Sequence, residues 1–351
     1  AACGGGNPAD PAPAPGRPAK ARRSGDPAAP GEPPQISKAA KDLFVEAGRV
    51  ASSGDGARAI ELYERALAED PNLTQALYNI ALLHDLNGDQ EKAVEAYRRA
   101  VDAGLGDGWV GMMAYTALGN AYVTLPKKYQ DHKKARAAYE SAIKVYQSIP
   151  SAQLKELPVE ARSAAAEALF KVANYDFDLV RELPFTKFVP MRDPQKHISK
   201  ISENLVSLLK DIERVKQSFE AVLAMNVESW GLAALSQTGQ MYYFAFTTLE
   251  QTTPPSIFDD ETKEFFRNIM IEKADPLRVK AVEAYKVCLD KARELQWFNE
   301  WSDLAEQQLA KIDPAAFHYS VKERAKPVHF HTAAIRRELI LTLPEAEKED
   351  L

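Results

Sequence analysis

Reactive side chains are scarce in this chain, and their spacing argues against catalysis. Its 351 residues hold two cysteines, Cys3 and Cys288, and six histidines. Three of the histidines are His318, His329 and His331. A strand through the last two would put both imidazoles on one side, where they can take a divalent metal. No carboxylate or cysteine completes that set nearby, and a solvated polar tail accounts for the pair equally well, so no metal site is expected. Cys288, in Tyr285-Lys286-Val287-Cys288, has no histidine close in sequence and is expected as a buried small hydrophobe rather than a nucleophile. Gly-x-Ser-x-Gly, Gly-x4-Gly-Lys-Ser/Thr, His-Glu-x-x-His and Cys-x-x-Cys are all absent. The run Gly4–Gly6 lies among prolines and alanines, not between a strand and a helix, so it cradles no phosphate. The remaining charged feature, Lys127, Lys128, Lys133, Lys134 and Arg136, reads as a solvated turn, with a docking patch for an acidic partner as the second reading. No catalytic residue, cofactor or small-molecule substrate is expected, and the chain is read as a non-enzyme.

The elements that position side chains must then carry the function. With 45% hydrophobic and 27% charged residues the chain can build a sizeable core. A net charge of −6 argues against nucleic acid as a bulk electrostatic partner. No stretch approaches the ~18 consecutive apolar residues of a membrane-spanning helix.

A repeat organises the body of the chain. Gly54-Asp55 with Ala59, Tyr63 and Ala66 recurs as Gly88-Asp89 with Ala93, Tyr97 and Ala100, an offset of 34 each time (88 − 54, 93 − 59, 97 − 63, 100 − 66). A fixed period of that length predicts stacked helix–turn–helix units that bury their apolar faces only against neighbours. These residues, with small Ala47 and Ala81 in the first helix of each unit and Pro71 closing the first unit, resemble the tetratricopeptide (TPR) repeat family. The resemblance implies an all-α, right-handed solenoid.

Five units are expected, at about 38–72, 73–106, 112–150, 159–226 and 228–295, with a capping helix at 297–312. The third carries Leu118-Gly119-Asn120-Ala121-Tyr122 and Ala135-x3-Tyr139-x2-Ala142, with extra turn residues around Pro126–Tyr129. The fourth pairs the 3.6-period run Val159–Val180 with a long helix ending in Val215-x3-Phe219-x2-Val222. In the fifth, Thr238-Gly239-Gln240-Met241-Tyr242 precedes a helix at about 276–295 bearing Ala281-x3-Tyr285-x2-Cys288, with a separate small helix around Asp260–Ile271 between them. The connections 183–195 and 252–275 are packed insertions that fill or extend the groove. Trp297 and Trp301, four apart in the capping helix, are expected to face the preceding pair. The domain thus runs from 36 to 314, with a polar tail at 315–351 in which 335–343 suggests a short strand or helix.

TPR arrays bind partners on the face of each unit's first helix, so the resemblance implies which residues line the site. They are Lys41, Phe44, Val45 and Gly48; Gln75, Tyr78, Asn79, Leu82 and Asp85; and Met113, Thr116, Ala117, Asn120 and Val123. The two-carboxylate clamp of chaperone-binding TPR domains is matched only at Asn79 and Asn120. The mixed lining suits an apolar or helical peptide segment, unless a segment of the same chain packs there. Ala47, Ala59, Tyr63, Ala93, Tyr97, Gly119, Ala135 and Tyr139 are assigned to the core.

Residues 1–35 are rich in Pro, Ala and Gly and nearly empty of large apolar residues, a composition expected to stay extended as a tether. Ala1-Ala2-Cys3-Gly4 resembles the end of a bacterial lipoprotein signal, which implies lipidation at Cys3 and, with no Asp after it, an anchor on the periplasmic face of the outer membrane. A fragment boundary that happens to include a cysteine is the alternative. The run from Ala284 through Trp297-Phe-Asn-Glu-Trp301 to Pro314 resembles the C-terminal end of deltaproteobacterial TPR lipoproteins, including those of gliding-motility machinery. The expected function is a protein–protein interaction scaffold of an envelope-spanning complex. An adaptor of outer-membrane protein assembly or envelope maintenance, or a soluble cytosolic TPR adaptor, are the other readings.

Overall fold

The computed structural model describes residues 36–71, 73–105, 108–183, 194–317 and 339–340. All of these fall in one compact unit, 36–343. Cys3, the tether, most of the 183–195 connection and His318, His329 and His331 lie outside the described residues, as does the tail apart from 315–317, Leu339 and Ile340.

Eleven α-helices form the described body: α1 Lys38–Ser52, α2 Gly56–Glu69, α3 Thr74–Leu86, α4 Gln90–Ala100, α5 Trp109–Thr124, α6 His132–Ser148, α7 Val159–Glu182, α8 Pro194–Leu223, α9 Glu228–Glu250, α10 Asp260–Glu294 and α11 Glu300–Ile312. The repeat period sets the boundaries of the first four. Gly54 and Gly88 sit at φ +95° and +82°, left-handed backbone that glycine adopts without a Cβ penalty and that turns the chain sharply between helices. Asp55, after the first of these glycines, caps α2 by accepting from the Arg58 N–H, and Asp131 does the same for Lys134 at the start of α6, whereas Asp89 makes no side-chain cap bond.

Each helix packs on its successor, and the odd-numbered helices also touch in turn: α3 with α5, α5 with α7, α7 with α9, α9 with α11. No two even-numbered helices make a comparable contact among the described residues. The odd helices are therefore the inner row of a two-layer solenoid of five pairs, with α11 closing it. Repeated aromatic positions fill the space between layers. Tyr63, Tyr97, Tyr139 and Tyr285 are fully buried. Phe44 meets Tyr63 edge-on with centroids 5.3 Å apart, and Tyr78 meets Tyr97 at 5.9 Å, contacts worth about 0.5–1.5 kcal/mol beyond the area they bury. Opposite Tyr139 and Tyr285 the small residue must be glycine. A Cβ on Gly119 would lie 2.5 Å from the Tyr139 ring, and one on Gly239 would lie 2.5 Å from Tyr285.

The core divides into two clusters that share α7. Ala161, Ala165 and Ala168 face the first three pairs. Ala166, Phe170, Ala173 and Phe177 face the last two. Phe170 anchors the second cluster, with Trp230 at 5.2 Å and Trp301 at 5.3 Å, and the Trp230 indole N–H donates to Ser163 Oγ at 3.2 Å.

Several boundaries differ from the sequence reading. The segment Asp260–Glu294 is one 35-residue helix, not a small helix followed by a second. Pro276 removes the N–H that would bond to the Glu272 carbonyl, a loss of about 3 kcal/mol or more inside a helix. The buried stripe Phe266, Met270, Ala274, Leu277, Ala281, Tyr285, Cys288 and Ala292 runs through it without a break. Burying Phe266 and Met270 alone, at about 1.5–3 kcal/mol each, offsets the proline. The capping helix begins at Glu300, not Trp297. Asn299 and Ser302 form a capping box there, and Trp297 sits in the turn after Gln296, whose φ is +52°. Both tryptophans still pack against the second cluster. After α4 the chain continues as a π-helical turn, Val101–Leu105.

Candidate functional site

The inner face of α1, α3 and α5 is where the expected partner-binding residues fall, and one of them already holds a peptide backbone. Asn79, on α3, is fully buried. Its Nδ2 donates to the Ile340 carbonyl at 2.8 Å, and its Oδ1 accepts from the Ile340 N–H at 2.9 Å. One residue offers its N–H and C=O to a single planar partner only when its backbone is extended, as in the hydrogen-bonded pairs of an antiparallel sheet. The Asn79 amide thus stands in for the partner strand. Nδ2 also donates to Tyr63 Oη at 3.0 Å, which fixes the amide plane. Burial pushes the Tyr63 phenol up to about 12, opposed by that bond from Asn79, so Tyr63 is a neutral hydroxyl and a constant acceptor. Ile340 is 7% exposed and belongs to the first cluster, with Leu339 packed against that cluster.

The other expected residues divide by exposure. Lys41 and Val45 on α1 are exposed, and Gln75 and Asp85 on α3 are half-buried. Phe44, Tyr78 and Leu82 are at most 1% exposed. Phe44 and Tyr78 are engaged with tyrosines of the outer row, so their first role is core packing. Met113 is buried at 6%. Thr116 donates to the Ala164 carbonyl at 3.2 Å while its hydroxyl also lies 3.0 Å from the Met112 carbonyl, tying α5 to α7. Asn120 accepts from Tyr139 Oη at 2.7 Å and donates to Glu167 Oε1 at 2.8 Å. Both Asn120 amide groups are used within the fold, so of the two asparagines Asn79 is the one turned to a peptide backbone.

Three secondary readings can be placed. Cys288 is buried, donates to the Leu232 carbonyl at 3.5 Å, and has its thiol pushed up to about 12 by burial, which suppresses the thiolate a nucleophile needs. Arg136 is not free for docking. It bonds Glu140 at 2.9 Å and Asp176 at 2.8 Å, joining α6 to α7, and these partners raise its pKa. Lys127, Lys128 and Lys133 are exposed, and Lys134 pairs with Asp131. No group of three or more metal-ligating side chains occurs among the described residues, and no described helix is long and apolar enough to cross a membrane.

The sequence marks 335–343 as a short strand or helix and allows a segment of the same chain in the groove, but nothing in it joins the two as the Ile340 contact does. Leu339-Ile340-Leu341 is an apolar run inside a polar segment.

The described residues form an all-helical repeat solenoid whose inner face holds the backbone of Ile340 from the same chain. Residues 49–107 match the family model described as tetratricopeptide repeat, so this stretch of the solenoid is similar to TPR repeats. It is similar to photosystem I assembly protein Ycf3 of Cyanophora paradoxa, 44% identical over 73 residues, covering 19% of this chain and 42% of that protein. The Ycf3 of Rippkaea orientalis is 44% identical over 69 residues, 18% of this chain and 40% of that one. The chain thus spans about two-fifths of the length of the curated relatives it matches. Among solved structures, MamA is similar at 15% identity over 71% of this chain and 94% of that one, with a TM-score of 0.39. YrrB, described as a TPR protein with an unusual peptide-binding site, is similar at 15% identity over 69% and 90%, with a TM-score of 0.35.

Proposed function

We propose that this protein is a non-enzymatic scaffold that holds other proteins by taking an extended segment of each on the inner face of α1, α3 and α5. The observation that carries the reading is the two-bond grip of Asn79 on the Ile340 backbone. A side chain placed to read N–H and C=O recognises a conformation rather than a sequence. The apolar surround then selects a segment with an aliphatic side chain next to the gripped bond. The TPR match and the name of the Ycf3 relatives, an assembly protein, support a role in bringing subunits together.

The finer reading is a lipid-anchored scaffold on the periplasmic face of a bacterial outer membrane, in an envelope-spanning complex such as gliding-motility machinery. Its support is Ala1-Ala2-Cys3-Gly4 and the Pro-rich stretch after it, together with the resemblance of 284–314. Fractionation of full-length protein and its Cys3→Ala form, with crosslinked partners identified by mass spectrometry, tests it. Membrane-bound wild type with released Cys3→Ala is the expected outcome. Two soluble forms would remove the anchor and move the search for partners to the cytosol.

A further inference from the structure

We propose that Leu339–Ile340 is a built-in competitor for the partner site, an occupant that an incoming segment must displace. The inference rests on the peptide-binding reading above and adds its regulation.

Three observations carry it. First, the contact is not imposed by local chain geometry: Asn79 and Ile340 are 261 residues apart, and the last helix before the tail, α11, packs on α9 and α10 in the second cluster. The segment comes back to the first cluster from there. Second, what Asn79 reads is generic. Every residue but proline carries the N–H and C=O that Ile340 presents, and the aliphatic side chain beside them is common. A partner segment would use the same two bonds, so the two cannot be bound at once. Third, the occupation is complete at that position. Asn79 is fully buried with Ile340 in place, and both faces of its amide are spent.

A permanent strap would use the same contacts, and the distinction lies in exchange. A segment linked to its own site acts at an effective concentration that reaches the millimolar range. A free segment of equal intrinsic affinity therefore binds the intact protein poorly and binds well once the resident is removed.

The test uses the full chain and a fluorescein-labelled peptide of residues 335–344, read by anisotropy. Wild type is compared with a variant carrying Leu339→Asp and Ile340→Asp, and with that variant carrying Asn79→Ala as well. The double-aspartate form is expected to bind the peptide at least tenfold more tightly than wild type, and Asn79→Ala to abolish the gain. Equal, Asn79-dependent binding by wild type and the double-aspartate form would overturn the competition while leaving the peptide site standing. A folded double-aspartate form that binds no peptide would overturn the peptide site itself. Amide exchange at Ile340 in unmodified wild type gives a reading that needs no variant. Excess peptide should speed it at least tenfold, and an unchanged rate at saturating peptide would mark a permanent strap and sink the proposal.

Discussion

Replacing Gly119 by alanine should destabilise the protein, whereas the same change at Gly231 should stabilise it. Both glycines lie inside helices, so both replacements gain about 0.8–1 kcal/mol of helix propensity. What differs is the space. At Gly231 the nearest atom to a new Cβ is Leu223 Cδ2 at 4.0 Å, an ordinary contact. At Gly119 the new carbon meets Tyr139 Cε1 at 2.5 Å, with Cδ1 and Cζ at 2.8 Å. The ring cannot swing aside, because it is fully buried and its hydroxyl donates to Asn120 at 2.7 Å. Overpacking of this kind costs about 1–3 kcal/mol, with losses above that where both neighbours are fixed. After the propensity gain, Gly119→Ala should lose up to about 2 kcal/mol and Gly231→Ala should gain up to about 1 kcal/mol. Urea denaturation followed by circular dichroism measures both, as shifts in midpoint at unchanged slope. Pairing Gly119→Ala with Tyr139→Leu should recover part of the loss, since the flexible side chain can retreat. A Gly119→Ala protein as stable as Gly231→Ala would refute the reasoning, because it would mean that the inner and outer rows do not approach as closely as the packing of Tyr139 requires.

The same contacts set three further outcomes. Asn79→Ala and Ile340→Pro each remove bonds of the tail contact, so a double-mutant cycle should show a coupling of about 1 kcal/mol or more, and additivity within about 0.5 kcal/mol would deny the pairing. Cys288 and Tyr63 have pKa values raised to about 12 by burial. Unfolding exposes them to their ordinary values, so above pH 9 the unfolded state holds fewer protons, and stability falls as pH rises toward 12. Cys288→Ala should flatten the first part of that fall by up to about 1.4 kcal/mol per pH unit, and a pH profile identical to wild type would remove the thiol as its cause. Arg136→Ala should lose about 1 kcal/mol by cutting the α6–α7 link to the largely buried Asp176, and the loss should shrink when Asp176→Asn is already present.

The repeat was legible because its physics is local and periodic. Gly54 and Gly88 mark the left-handed turns, Asp55 the cap, and Tyr63, Tyr97, Tyr139 and Tyr285 the recurring buried ring. Even the degenerate units showed, since Val215-x3-Phe219-x2-Val222 keeps the spacing and all three residues are fully buried. Helix ends were less legible. Pro276 looks like a breaker until the stripe from Phe266 to Ala292 is seen to hold the helix against α9, a tertiary gain that no local signal carries. At the site, the TPR resemblance implied an inner-face position for Asn79 but could not say which asparagine was already spent. Asn120 is used by Tyr139 and Glu167, the latter 47 residues away. Ile340 was out of reach for the same reason at greater length, since nothing in one sequence ties a short apolar run to a side chain 261 positions earlier.

Everything proposed for the site depends on Asn79 holding an extended backbone on the inner face of the first repeats. Hydrogen exchange at the Ile340 amide tests that grip most directly, measured in the full-length protein and in Asn79→Ala. The wild-type amide should be protected by about tenfold or more over an unstructured chain, with protection lost in the variant. A wild-type amide that exchanges freely, or one equally protected without Asn79, would contradict it.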